Sequence, residues 1–283
     1  MTKVLIDGLA FAEGPRWHED RLWISDMHSQ EVLAIDHGGR AETICRVPND
    51  PSGLGWAPDG TVLVVSMQDR RLLRLVGGTG AGELEEVADL SQLATYHCND
   101  MVVDAQGRAY VGNFGFDLHR EQPEFCTANL ILVTPDGEAR VAADELAFPN
   151  GSVITPDGGT LIVGESFAAR LSAFDVAPDG SLSNRREWAK LEGAVPDGIC
   201  LDEEGAIWVA SPVSGEVLRV REGGEVLQRV TVSAQAFACM LGGRDRRRLF
   251  IAVAESSQPE ECRQKRTGRI EFVDVDVPGA GLP

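Results

Sequence analysis

Long apolar runs are missing from this chain, and the amino end, "MTKVLIDGLAFAEG", carries one Lys and is interrupted by Asp7. The sequence therefore predicts neither a membrane span nor a secretory leader. Paired cysteine motifs are missing too. Cys45, Cys98, Cys126, Cys200, Cys239 and Cys262 stand apart with no C-x-x-C spacing. That points to reduced thiols in a cytoplasmic protein rather than a disulfide framework. Positive charge is in short supply: 26 Lys and Arg face 44 Asp and Glu, for a net charge of −18. Nucleic acid and anionic membrane are excluded as partners by repulsion, while a neutral small molecule or a cation suits the field. No G-x-S-x-G, H-E-x-x-H or Walker A pattern occurs. Helical periodicity is nearly absent.

What is present is repetition. The stretches starting at Glu13 ("EGPRWHEDRLWISD"), Ser52 ("SGLGWAPDGTVLVVSM"), Asn99 ("NDMVVDAQGRAYVGN"), Asn150 ("NGSVITPDGGTLIVGE"), Asp197 ("DGICLDEEGAIWVAS") and Phe237 ("FACMLGGRDRRRLFIAVAE") share one plan. Each has a lead residue, a short mostly apolar run, a turn, and a β-rich run. Successive leads are 39 to 51 residues apart. That period, with short strands bounded by Gly, Pro and Asp, is the signature of propeller blades. Two further strands follow in most copies, such as "EVLAID" and "AETICRV" in the first. The expectation is an all-β, six-bladed propeller with four antiparallel strands per blade, forming one domain over residues 1–283. The strand "MTKVLID" is expected to pair with the last blade and close the ring.

In such a ring each lead residue stands where the chain enters the innermost strand, so the leads converge on one end of the central channel. Glu13, Asn99, Asn150 and Asp197 are oxygen donors of the kind hard cations prefer. Asn-Gly, Asn-Asp and Asp-Gly are also ordinary turn formers, and each alone reads as a turn. Glu13 is not a turn residue. Two carboxylates brought together without a cation would repel one another and lose solvation. Ca2+ is the first choice for this set, with Mg2+ and Mn2+ also suited to oxygen donors and Zn2+ less favoured. The loops after the second strand of each blade return to the same end and should supply the pocket walls: Asp26–His28, Met67–Asp69, Asn113–Asp117, Glu165–Phe167, Ser211–Val213 and Glu255. The longest, 113–126, is the expected lid or specificity loop. Cys98 and Asp100 beside Asn99 are read as a bystander and a turn support.

At "AEGPRW", "CNDMVVDAQGRAYVGN", "FPNGSVITPDG" and "PDGICLDEEGAIWVAS" the chain resembles the SMP-30/gluconolactonase/luciferin-regenerating-enzyme family, over essentially its whole length. The resemblance implies one catalytic divalent metal held by Glu13, Asn150 and Asp197. Asn99 is implied as a fourth ligand or as an amide that orients substrate. It also implies hydrolysis of a small neutral lactone, with the carbonyl polarised by the metal and water activated at Asp197. A free carboxylate of that kind is a weak base, adequate for a reactive lactone. Some sugar lactonases of the family carry an Arg two residues before the Asn. His97 stands there in this sequence, as a candidate substrate contact, and Asp117 is the nearest match to an acidic substrate contact in the 113–126 loop. Two alternatives are a phosphotriesterase or other ester hydrolase on the same metal, and a non-catalytic calcium-binding propeller.

Overall fold

The computed structural model describes residues 1–78 and 82–283. Among them lie six four-stranded antiparallel sheets, each a blade. The inner strands are Ala12–His18, Pro51–Trp56, Cys98–Val103, Pro149–Ile154, Ile199–Leu201 and Gln235–Gly242. Each touches the next, and the last touches the first, so the blades form a ring. In blades one to five the four strands follow in chain order. Blade six takes its outermost strand, Lys3–Leu9, from the amino end, where it pairs antiparallel with Gly268–Asp274. That pairing ties the two ends of the ring together and uses the edge that blade six would otherwise leave open.

Small residues set the width of the channel. A Cβ on Gly53 would lie 2.4 Å from the backbone nitrogen of Met101, and one on Gly151 2.5 Å from that of Ile199. Both glycines follow a lead residue, so even alanine there would push neighbouring inner strands apart. Between blades the contacts are apolar; Val102, Tyr110, Leu130, Ile154, Leu161 and Phe174 fill the seam of blades three and four. Burying each large side chain of this kind contributes roughly 1.5–3 kcal/mol.

The channel does not run through unobstructed. Arg16, 2% exposed, crosses it from blade one to Leu54 O of blade two (3.0 Å), Met101 O (2.6 Å) and the Asp100 carboxylate of blade three (2.6 Å). Asp100 is therefore an ion-pair partner across the channel, a larger role than turn support. On the far side the segment after Val275 is stitched over blades four to six: Leu282 pairs with Ile154, Ala280 N donates to Leu201 O, and Gly279 N to Arg246 O.

One helix, Pro259–Lys265, departs from the all-strand expectation. Its ends are well made, with Pro at the start, Glu260 and Glu261 in the first turn and Arg263 and Lys265 in the last. Two turns are too few for a helical period to show in sequence. No helix among the described residues is long and apolar enough to cross a membrane.

Candidate metal centre

The lead residues reach the channel because the inner strands are bulged where they sit. The pairing register slips between Glu13 and Arg16, Pro51 and Leu54, Cys98 and Met101, Pro149 and Ser152, and Ala236 and Ala238. A bulge breaks the ladder locally and re-aims a side chain. In blade five the inner strand starts only at Ile199, and Asp197 precedes it, fixed by its own N–H to Ala210 O at 3.0 Å.

Glu13, Asn99, Asn150, Asp197 and Phe237 all line one cavity of about 280 Å³. Ser52 does not; it is buried, and its carbonyl accepts from Ser25 Oγ at 2.6 Å. Of the wall loops expected from sequence, five contribute: Met27 and His28, Met67 and Gln68, Phe114, Ser166 and Phe167, and Pro212 and Val213. Glu255 does not, and the helix with its approach contributes Ser257 and Pro259 instead.

The amides are held by the protein. Asn99 Nδ2 donates to Pro149 O at 3.2 Å, and Asn150 Nδ2 to Ser166 Oγ at 3.3 Å, while Ser166 Oγ donates to Pro196 O at 2.7 Å. Committing the nitrogens this way leaves the amide oxygens as the acceptors to offer a ligand. The carboxylates are poorly compensated. Burial, then the charges of Asp197 and Asp100, hold the Glu13 carboxyl well above its ordinary range, against a 3.3 Å hydrogen bond from Gly14 N and the more remote Arg16. Burial pushes Asp197 up to about 8; Asp100 adds to the rise, and the Asn150 amide and Gly198 N–H oppose it. The weak base expected from sequence is thus a carboxyl that protonates near neutrality unless a cation stands beside it. Among the described residues no three of His, Cys, Asp and Glu cluster as a metal site. The set is recognisable only when the two asparagines are counted. Uncompensated acids plus oriented amide oxygens fit a hard cation, and Glu13, Asn150, Asp197 and Asn99 are the residues that would hold it.

His97 lines the cavity, stacked on Tyr96 at 4.1 Å. Burial lowers its pKa, with Asp117 pulling the other way. Asp117 is not on the cavity surface; its carboxylate accepts from His119 N at 3.1 Å and stands near Tyr96 and His97. Cys98 is fully buried and its thiol is pushed up to about 12, which rules out a nucleophile. All six cysteines are free.

One polar group on the wall has no sequence signature. His28 Nδ1 lies 3.3 Å from Asp50 Oδ2, with both side chains buried, and Gln68 Nε2 donates to the same oxygen at 2.9 Å. Phe11 stacks on the imidazole at 5.4 Å. His28 and Gln68 lie in the loop after the second strand of blades one and two, whereas Asp50 comes from the connection between those blades, so only the fold brings it to them.

A family model described as "SMP-30/Gluconolactonase/LRE-like region" matches residues 11–255. Regucalcin of Danio rerio is 34% identical over 196 residues, 64% of this chain and 65% of that one. The matched segment thus spans just under two thirds of that relative's length. A 6-deoxy-6-sulfogluconolactonase of Pseudomonas putida is 26% identical over 280 residues, covering 96% of this chain and 93% of its own. A crystal structure of a calcium-binding protein, regucalcin, from Agrobacterium tumefaciens superposes with a TM-score of 0.80 at 20% identity, over 100% of this chain and 96% of that one. The matched region takes in most of the chain, and the chain belongs to the SMP-30/gluconolactonase/LRE-like family.

Proposed function

We infer that the protein is a divalent-metal-dependent lactonase, with Ca2+ as the favoured ion. The observation that carries this reading is the pair of uncompensated carboxylates, Glu13 and Asp197, beside two oriented amides at the floor of a single cavity. The sulfogluconolactonase relative and the calcium-binding neighbour point the same way. Bound there, the cation supplies Lewis-acid polarisation of the lactone carbonyl. The chain's own residues do the rest. Asp197, ionised beside the cation, accepts the proton of an attacking water. Oxygen adds to the carbonyl carbon, the ring C–O bond breaks, and the leaving alkoxide takes a proton, giving a hydroxy acid. Asn99 orients the substrate, and His97 stands within the same cavity to contact it. Apolar walls keep bulk water from the reacting carbonyl.

The test is hydrolysis of a lactone panel by protein stripped of metal by chelation and reloaded with Ca2+, Mg2+, Mn2+ or Zn2+. Activity lost on chelation and restored by an ion supports the reading; unchanged activity after chelation overturns it. A phosphotriester in the same assay separates that alternative chemistry.

A further inference from the structure

A sugar lactone carries a hydroxyl on nearly every ring carbon, and each one buried needs a hydrogen-bond partner. The cavity above the four oxygen donors offers few. On the side of blades one and six, Phe11 and Phe237 meet edge to face with centroids 4.7 Å apart, beside Met27. Across the ring, on blades three and four, Phe114 stacks on Phe148 at 4.7 Å, and Phe167 lies 5.4 Å from Phe148. Phe167 is 52% exposed and so is Phe125, its stacked neighbour at 5.9 Å. Large aromatic surface left in water at a cavity rim marks an apolar ligand. Polar wall groups beyond the floor are the His28–Asp50–Gln68 corner, His97, His119, Ser166, Gln235 and Ser257, and Ser166 and Gln235 are already bonded, to Asn150 and Pro196 O and to Glu255 O respectively. Asp50 is already engaged by His28 and Gln68, so it has little left for a ligand.

We propose that the substrate is a lactone whose ring bears an apolar substituent, an alkyl chain or an aryl group, lodged between these two phenylalanine walls. Phe114, Phe148 and Phe167 set the preference. This rests on the lactonase reading and narrows it. Hydroxyls placed against Phe11, Phe237, Phe114 and Phe148 would lose water and gain nothing, whereas a chain of methylenes would gain at each carbon.

The experiment holds the ring constant. Cation-loaded protein is offered δ-valerolactone, δ-nonalactone and D-glucono-1,5-lactone. The expected kcat/KM is highest for δ-nonalactone, at least about tenfold above gluconolactone, with most of the difference in KM. Phe167→Ser, at an exposed position that does not endanger folding, should raise KM for δ-nonalactone about fivefold and that for δ-valerolactone less. Gluconolactone opened as fast as δ-nonalactone overturns the proposal and leaves the lactonase reading standing. If no lactone is opened, that reading falls and takes the lactone substrate with it, and calorimetric binding of two inert analogues then decides only whether the cavity prefers an apolar substituent. Tighter binding of a butyl-substituted δ-lactam than of gluconolactam supports that preference, and equal or weaker binding overturns it.

Discussion

Two glutamates of the ring, Glu165 and Glu13, live in opposite surroundings. Glu165, in the second strand of blade four, is fully buried, yet its pKa is lowered. Burial pushes it up, but Arg170 Nε at 2.9 Å, Arg185 Nη2 at 2.9 and 3.0 Å, Ser172 Oγ and Ala147 N outweigh that. Asp202 is likewise buried and paired with Arg219 at 2.6 Å. Glu13 is only half-buried but faces Asp197 and Asp100, with a single backbone donor at 3.3 Å. In blades four and five these buried acids are paired with arginine from the same blade. At the channel mouth the chain withholds that partner, and under the proposed function a bound cation would complete the balance.

The largest expected effect is on chemistry. Asp197→Asn should cut lactone hydrolysis about a hundred- to thousand-fold while circular dichroism stays unchanged. Next comes Glu165→Gln, which strands two arginine side chains that are about a third exposed. It should cost about 2–4 kcal/mol in denaturant unfolding, because a broken buried pair is expensive but these guanidinium groups regain some water. Glu13→Gln should do the reverse. In cation-free protein it removes a poorly compensated carboxyl and should stabilise by about 1 kcal/mol. It should also abolish most of the rise in Tm that added Ca2+ gives wild type. The same substitution at the two glutamates thus has opposite signs. If both destabilise cation-free protein, the contrast drawn here is wrong.

A smaller effect follows from pH. Asp197 and Glu13 bind protons more tightly folded than unfolded. Their contribution to the stability of cation-free protein therefore declines as pH rises from the ordinary carboxylate range toward about 8, where Asp197 ionises. A cation needs the ionised forms, so the increase in Tm on adding Ca2+ should be larger at pH 8 than at pH 5, read by thermal melts with and without chelator. Smallest is Asp117→Asn. Its carboxylate is off the cavity surface, so KM should move by less than about threefold.

The repeats made the blades and four of the floor residues legible, because a ring places equivalent positions in equivalent places. Glu13 was the informative one, being no turn former. The bulges that aim these side chains left no mark in the sequence, since a bulge is a property of two paired strands and not of one. The His28–Asp50 pair was invisible for a related reason: it joins two loops whose residues are 22 apart and occupy unlike positions in their blades. The short helix at the cavity wall was hidden by its length. Asp100 accepts from Met101 N locally, but its ion pair is not legible because the partner, Arg16, lies 84 positions away.

The segment after Val275 is stitched across the far ends of blades four to six, and Arg16 spans blades one to three, both away from the cavity walls. Under the proposed function a neutral substrate would be exchanged for an anionic product at the cavity end of the channel. The surrounding charge of −18 is indifferent to what enters and repels what leaves. The acidity of the chain would then bias traffic one way, favouring departure of the product over its retention.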